Sequence, residues 1–313
     1  MGLPEKFLQS IKRCNYNIAL IKKAKVPHLY VESNRILSFY SQPGLEITTQ
    51  TSPYRVKIKM LVKKNVKMEK PIFLCFGIFK EKGKQIIIPE IILEEDSQAK
   101  ILTNCIFPQA KDIIHKMHAE IKLRKNAKLT YQERHYHGEN FGAEVLPSFK
   151  VLVDKNASFK NEFILTEGSI GRLKVFFETE LKQNASCEIL NKIIGKGRKD
   201  EVEIYDRILL NGKNSSSLNK IKGVAINGGK ILFKGETEAG KKAKNARGHI
   251  DCQEIIVGRS IAQSIPVVTV KNPEARITHE ASVGKVNQKQ LETLMTRGLT
   301  ESQAIDFIIR GKI

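Results

Sequence analysis

The chain has 313 residues, 41% of them hydrophobic and 27% charged, with no tryptophan and a formal net charge of +20. That composition suits a globular chain with one large or two ordinary cores. It excludes a disulfide framework and a membrane-spanning helix. The five cysteines (Cys14, Cys75, Cys105, Cys187, Cys252) show no paired spacing, and the longest apolar run, residues 71–79, is far too short to span a bilayer. With no signal-like segment at the N-terminus, sparse thiols point to a reducing cytoplasm.

Basic excess is the electrostatic footprint of nucleic-acid binding. Here the lysines are spread along the chain, and no tryptophan offers a stacking platform. A solvated lysine-rich surface is the favoured reading.

In chain order, residues 4–23 place Phe7, Ile11, Cys14, Ile18 and Ile21 at helical spacing. Residues 54–62 switch period. Val56, Ile58, Met60 and Val62 alternate with mostly basic residues, which predicts a half-buried strand. From there to residue 285 the chain reads as strands punctuated by turns. A turn signature recurs at Gln98-Ala, Asn126-Ala, Asn156-Ala, Asn184-Ala, Asn214-Ser, Asn245-Ala and Asn272-Pro. The intervals lie in the range of repeat architectures. A unit of about 29 residues made only of strands and turns cannot bury its own apolar face, so neighbours must stack. The predicted fold is mainly β: a β-helix or flattened β-sandwich, with a plain antiparallel sandwich as the alternative.

Residues 286–311 change character. Asn287 caps a helix with Leu291, Leu294 and Met295 on its apolar stripe, ended by Gly298. Thr300, with Gln303 completing a capping box, starts a second helix whose inner face is Ile305, Ile308 and Ile309. The predicted organisation is a helix and strand region over 1–64, a β core over 65–285 and a helical hairpin over 286–313.

The chemistry-bearing residues are few. Cys252 lies seven residues after Asn245, and His279 lies seven after Asn272. The repeat therefore predicts that they occupy the same register in adjacent coils, on one face, where a thiolate and an imidazole bind a soft or borderline metal. Glu280 follows His279 and so points to the opposite face of a regular strand. Two protein ligands leave a tetrahedral metal unsaturated, and a second copy of the surface across a dimer axis would complete it. His115 with His118, and His135 with His137, have ligand-like spacing, but no cysteine or carboxylate completes them in sequence. They read as exposed strand residues. No phosphate loop, nucleophile elbow or carboxylate dyad is present.

Three strings carry a family resemblance: Asn245-Ala-Arg-Gly-His-Ile-Asp-Cys252, Ile265-Pro-Val-Val, and Asn272-Pro-Glu-Ala-Arg-Ile-Thr-His-Glu-Ala-Ser. Gln290-Leu, Arg297-Gly-Leu-Thr and Ala304-Ile follow. From about residue 210 to the end, this pattern resembles the SufB/SufD family of iron–sulfur cluster assembly scaffolds, in a minimal, archaeal-type, SufB-like form. The resemblance implies a right-handed parallel β-helix and a hairpin, residues 287–310, that docks a SufC-type ABC ATPase. It implies Cys252 as a ligand of a transient iron–sulfur cluster, with His279 and Glu280 as further ligands or tuning groups. A non-catalytic scaffold acting as a homodimer and delivering cluster to recipient apo-proteins follows. The family's earlier, sulfur-receiving cysteine has no match near residues 150–160. Cys187 is the nearest candidate, so direct entry of sulfide is implied. The rival from another class is a basic nucleic-acid-binding protein using the terminal hairpin as a helix-turn-helix. Its second helix offers few base-reading side chains.

Overall fold

The computed structural model describes residues 26–140 and 142–313. The helix expected over residues 4–23, with Cys14, lies outside the described residues.

The described chain opens with two antiparallel hairpins, β1 (His28–Glu32) with β2 (Arg35–Tyr40) and β3 (Leu45–Ser52) with β4 (Arg55–Val62). The alternating burial of β4 follows the expected period, with Val56, Ile58, Met60 and Val62 inside. Then come β5 (Ile72–Gly77), β6 (Lys82–Leu93), β7 (Gln98–Ile106), β8 (Asp112–Leu123), β9 (Lys128–Tyr136) and β10 (Ala143–Val153). Next are β11 (Ser158–Glu167), β12 (Arg172–Leu181), β13 (Ser186–Gly195), β14 (Glu201–Leu210) and β15 (Ser216–Ile226). The series closes with β16 (Lys230–Ala239), β17 (Arg247–Val257), β18 (Ile261–Val270) and β19 (Arg276–Lys285).

Apart from these two hairpins, every strand pairing among the described residues is parallel. One sheet runs β19-β17-β15-β13-β11-β9-β7-β5-β1-β2 and the other β18-β16-β14-β12-β10-β8-β6-β4-β3. Successive strands thus alternate between two facing sheets, and the chain winds as a flattened β-solenoid of about eight turns. One continuous core fills the space between the sheets, because alternate residues of every coil point inward.

Asparagines hold the corner that leads from the second sheet to the first. Asp96, Asn126, Asn156, Asn184, Asn214 and Asn245 all adopt left-handed backbone with φ of 55–60°, which Asn and Asp tolerate better than other non-glycine residues. Each Asn side chain donates Nδ2–H to the Oδ1 of its counterpart one coil earlier, from 2.7 Å (Asn126 to Asp96) to 3.4 Å (Asn245 to Asn214). The residue that follows, such as Ala127, Ala157, Ala185 or Ala246, is buried.

This ladder corrects the predicted repeat at both ends. Gln98 is the first residue of β7 and pairs with Lys128, so Asp96 is the corner residue. In the last coil Arg276 pairs with Arg247, so Glu274 stands where Asn245 stands. Asn272 instead forms an Asx turn, accepting from the Glu274 N–H at 2.9 Å and donating to the Lys241 carbonyl at 2.8 Å.

Two helices end the chain, α1 (Gln288–Met295) and α2 (Glu301–Lys312), with the caps read from sequence. Asn287 accepts from the Gln290 N–H, and Thr300 and Gln303 form the capping box. The second helix runs through Gly311. Leu291, Ala304 and Ile308 make a small separate core. Among the described residues, no helix is long and apolar enough to cross a membrane.

Candidate functional site

The two ends of the solenoid differ. At the N-terminal end the parallel stacks finish in antiparallel strands, β2 and β3. At the C-terminal end β18 and β19 are bare edges, and Val268, Val270 and Val283 are 36%, 46% and 44% exposed.

Cys252 and His279 lie at that open end. The slipped corner changes their register: Cys252 pairs with Ala281, and His279 pairs with Ile250. The predicted same-register stack is therefore corrected to a diagonal offset of two residues. An even offset keeps both on the inner face. With strands ~4.8 Å apart and ~3.3 Å per residue, their Cα atoms are about 8 Å apart. Cys252 is buried, whereas His279, on the terminal coil, is exposed. Glu280 pairs with Asp251 on the outer face, as strand alternation predicts, so the structure does not bring it to the other two.

The Cys252 thiol sits among acids. Burial pushes its pKa up to about 12, helped by Glu254 and Asp251 and opposed by a hydrogen bond with Ser264. Ser264 donates to Glu254 Oε1, and burial raises the Glu254 carboxyl above its ordinary range. Beneath them, in the closed interior, burial raises Asp206 to about 7 while Asn191 donates to it at 2.8 Å. The resting site therefore holds a protonated, unreactive thiol one coil below an open end.

Cys187, the nearest match for a sulfur-receiving residue, is also buried on the inner face, and desolvation holds its thiol protonated.

The structure corrects the reading of the histidines as exposed. His118 is exposed and meets Ser148 Oγ, but His115, His135 and His137 are fully buried. Cys105 pairs with His135 across β7 and β9, and Glu133 lies two residues earlier on the same inner face. Ligand atoms of Cys105, Glu133 and His135 lie within 4.8 Å of one another. Burial lowers His135 and His137 to about 3 and raises Glu133 to about 8. The sequence held one signal for this cluster: His135 follows Cys105 by one coil length. Inner-face parity and a correct register are needed to use it.

Residues 83–312 match the family model described as SUF system FeS cluster assembly, SufBD core domain. Over its whole length the chain is 38% identical to an iron–sulfur cluster assembly SufBD family protein of Methanocaldococcus jannaschii, covering 99% of that relative. It is 32% identical to one of Pyrococcus horikoshii, over 92% of this chain and 86% of the relative. A Staphylococcus epidermidis member is 29% identical over 80% of this chain and 54% of its own length.

Proposed function

We propose that this chain, which belongs to the SufBD family of iron–sulfur cluster assembly proteins, is the scaffold that receives a nascent cluster at the open end of its solenoid. The observation that carries this reading is a buried cysteine and, two residues off its register on the next coil, an exposed histidine on the same inner face, beside uncovered apolar strand edges.

Bare strand edges with exposed valines are poor final surfaces for a soluble protein. A second copy of the chain, laid edge to edge, would cover them and set Cys252 of each copy against His279 of the other, at two equivalent junctions. Cluster, as cargo, would then be held by few thiolates. Sparse cysteine ligation suits release to recipient apo-proteins. Glu280, on the outer face, would act only as a tuning group, or as a ligand if the strand rearranges.

A thiol with its pKa pushed up to about 12 needs two things before it ligates iron: an opening that admits water, and a cation that displaces its proton. An ABC ATPase of the SufC type supplies the first. The hairpin offers the docking face, a groove where Phe307, 64% exposed, lies beside Leu294 and Ile308. The hairpin is tied to the solenoid by Lys222 Nζ, which donates to the Lys312 carbonyl at 2.9 Å. ATP-driven movement of two hairpins would part the junction between the copies.

The test is co-purification of the full chain with a co-expressed SufC-type ATPase, and anaerobic reconstitution of the complex with iron and sulfide. Wild type is expected to take up cluster, and Cys252→Ala to lose most of it. Equal uptake by both overturns the assignment.

A further inference from the structure

A second ligand set lies deep in the solenoid, far along the stack from the open end, and its hydrogen bonds fix where its protons are. His137 Nδ1 is 3.0 Å from the Ile170 carbonyl, so Nδ1 carries the proton and Nε2 is a bare acceptor. His135 Nδ1, 3.1 Å from that acceptor, must then donate, which leaves His135 Nε2 bare. Opposite it, at 2.6 Å, is Glu133 Oε1. Two acceptors at that distance require a proton between them, so the carboxyl is protonated. Tyr131 donates to the other oxygen, Oε2, at 2.9 Å.

The same logic runs from the other side. Gln85 Nε2 donates to the Ser33 carbonyl at 2.6 Å, which orients the amide with Oε1 towards His115 Nδ1 at 3.0 Å. His115 Nδ1 therefore donates, and its Nε2 is bare, 3.7 Å from Cys105 Sγ. That sulfur is also 3.8 Å from Glu133 Oε1.

Hydrogen bonds thus bring ligand atoms of Cys105, Glu133 and His135 within 4.8 Å of one another, and set His115 Nε2 beside the sulfur at 3.7 Å as a fourth donor outside that trio. Only two acidic protons, on the thiol and the carboxyl, lie among them. We infer that Cys105, His115, Glu133 and His135 form a binding site for one first-row divalent metal, zinc or ferrous iron. The cation replaces the thiol and carboxyl protons, which leave to solvent. The loaded site then carries two negative ligands against a dication and is neutral overall, as a buried position requires. One sulfur, two imidazoles and one carboxylate suit a borderline metal in four-coordinate geometry. Gln85, His137 and Tyr131 are the outer partners that fix ligand orientation. The site pins strands β6 to β9 near the capped end and is separate from the cargo junction at Cys252.

The test uses full-length protein made in cobalt-supplemented medium, so that metal can enter during folding. About one cobalt per chain, with thiolate-to-cobalt charge-transfer and tetrahedral ligand-field absorption, is the expected result. Cys105→Ser should lose the charge-transfer band. Glu133→Gln, whose amide can still donate to His135, should fold and lose bound cobalt. Cys252→Ser should keep both band and stoichiometry. Elemental analysis of protein made without added cobalt then tells zinc from iron. A wild-type protein with native circular dichroism and no thiolate–cobalt band, or a band that survives Cys105→Ser and disappears in Cys252→Ser, overturns the inference.

Discussion

Asp206 offers the sharpest stability experiment. Its side chain is completely buried on the inner face of β14; Oδ2 accepts from Asn191, and Oδ1 meets no donor. Nearby, Asn191 Oδ1 and Asn219 Oδ1 are acceptors without donors, and Asn219 Nδ2 is a donor without an acceptor. Burial favours the neutral carboxyl, against the Asn191 and Asn219 amides, which favour the charged form. The folded-state pKa is accordingly raised from 3.8 to about 7, with burial as the main cause. A raised carboxyl pKa means that the folded state holds a proton that the unfolded state has lost. Between about pH 4 and pH 7 this residue therefore makes stability fall as pH rises, and above pH 7 the loss is constant. The shift of about 3 units corresponds to a penalty on the order of 4 kcal/mol at pH 8. Asp206→Asn removes the titration, keeps the shape and can donate to the waiting amide oxygens. The variant should match wild type within about 1 kcal/mol at pH 4.5 and exceed it by several kcal/mol at pH 8. Urea midpoints for both proteins at pH 4.5, 6, 7.5 and 8.5 give the difference, and all groups that titrate alike in both proteins cancel. A variant that is less stable than wild type by the same margin at every pH refutes the reasoning.

Further predictions concern the ladder, the thiol and the hairpin. Asn184→Ala puts a residue that tolerates left-handed backbone less well than Asn at φ 55° and removes two ladder hydrogen bonds, for an expected cost of about 2–3 kcal/mol. Asn184→Gly should recover the backbone part and lose about 1 kcal/mol in the same urea assay. Cys252 should resist alkylation at pH 8 in the resting protein and react when a bound ATPase turns over ATP. Labelling measured by mass spectrometry at equal rates with and without ATP would contradict a gated site. Thr300→Ala removes the capping box of α2, at about 1 kcal/mol of local helix stability. It should weaken ATPase capture in a pull-down while leaving the solenoid's urea midpoint unchanged.

Much of the fold was legible because its causes are local. Alternation at Val56, Ile58, Met60 and Val62 follows from the strand period. The Asn-Ala turns follow from the left-handed corner and the small buried residue after it. The hairpin caps at Asn287 and Thr300 are three-residue signals. Register at the ends was less legible, because Gln98 and Asn272 look like corner residues while Asp96 and Glu274 hold those places. That slip moved His279 by two residues against Cys252. It kept the shared face, since parity survives an even shift. The Cys105–Glu133–His135 group was hidden for a different reason: its members come together only through coil stacking. Histidines on a basic chain look solvent-facing until inner parity is known.

Cargo held where Cys252 of one protomer meets His279 of the other is the arrangement proposed for the open end. Hybrid dimers carrying Cys252→Ala on one copy and His279→Ala on its partner test it most directly, by cluster absorbance after anaerobic reconstitution. One junction then keeps both ligands and the other keeps neither. The account predicts about half of the wild-type uptake in the hybrid and little in either homodimeric variant. Full wild-type uptake by homodimeric Cys252→Ala, or no uptake by the hybrid, would contradict it.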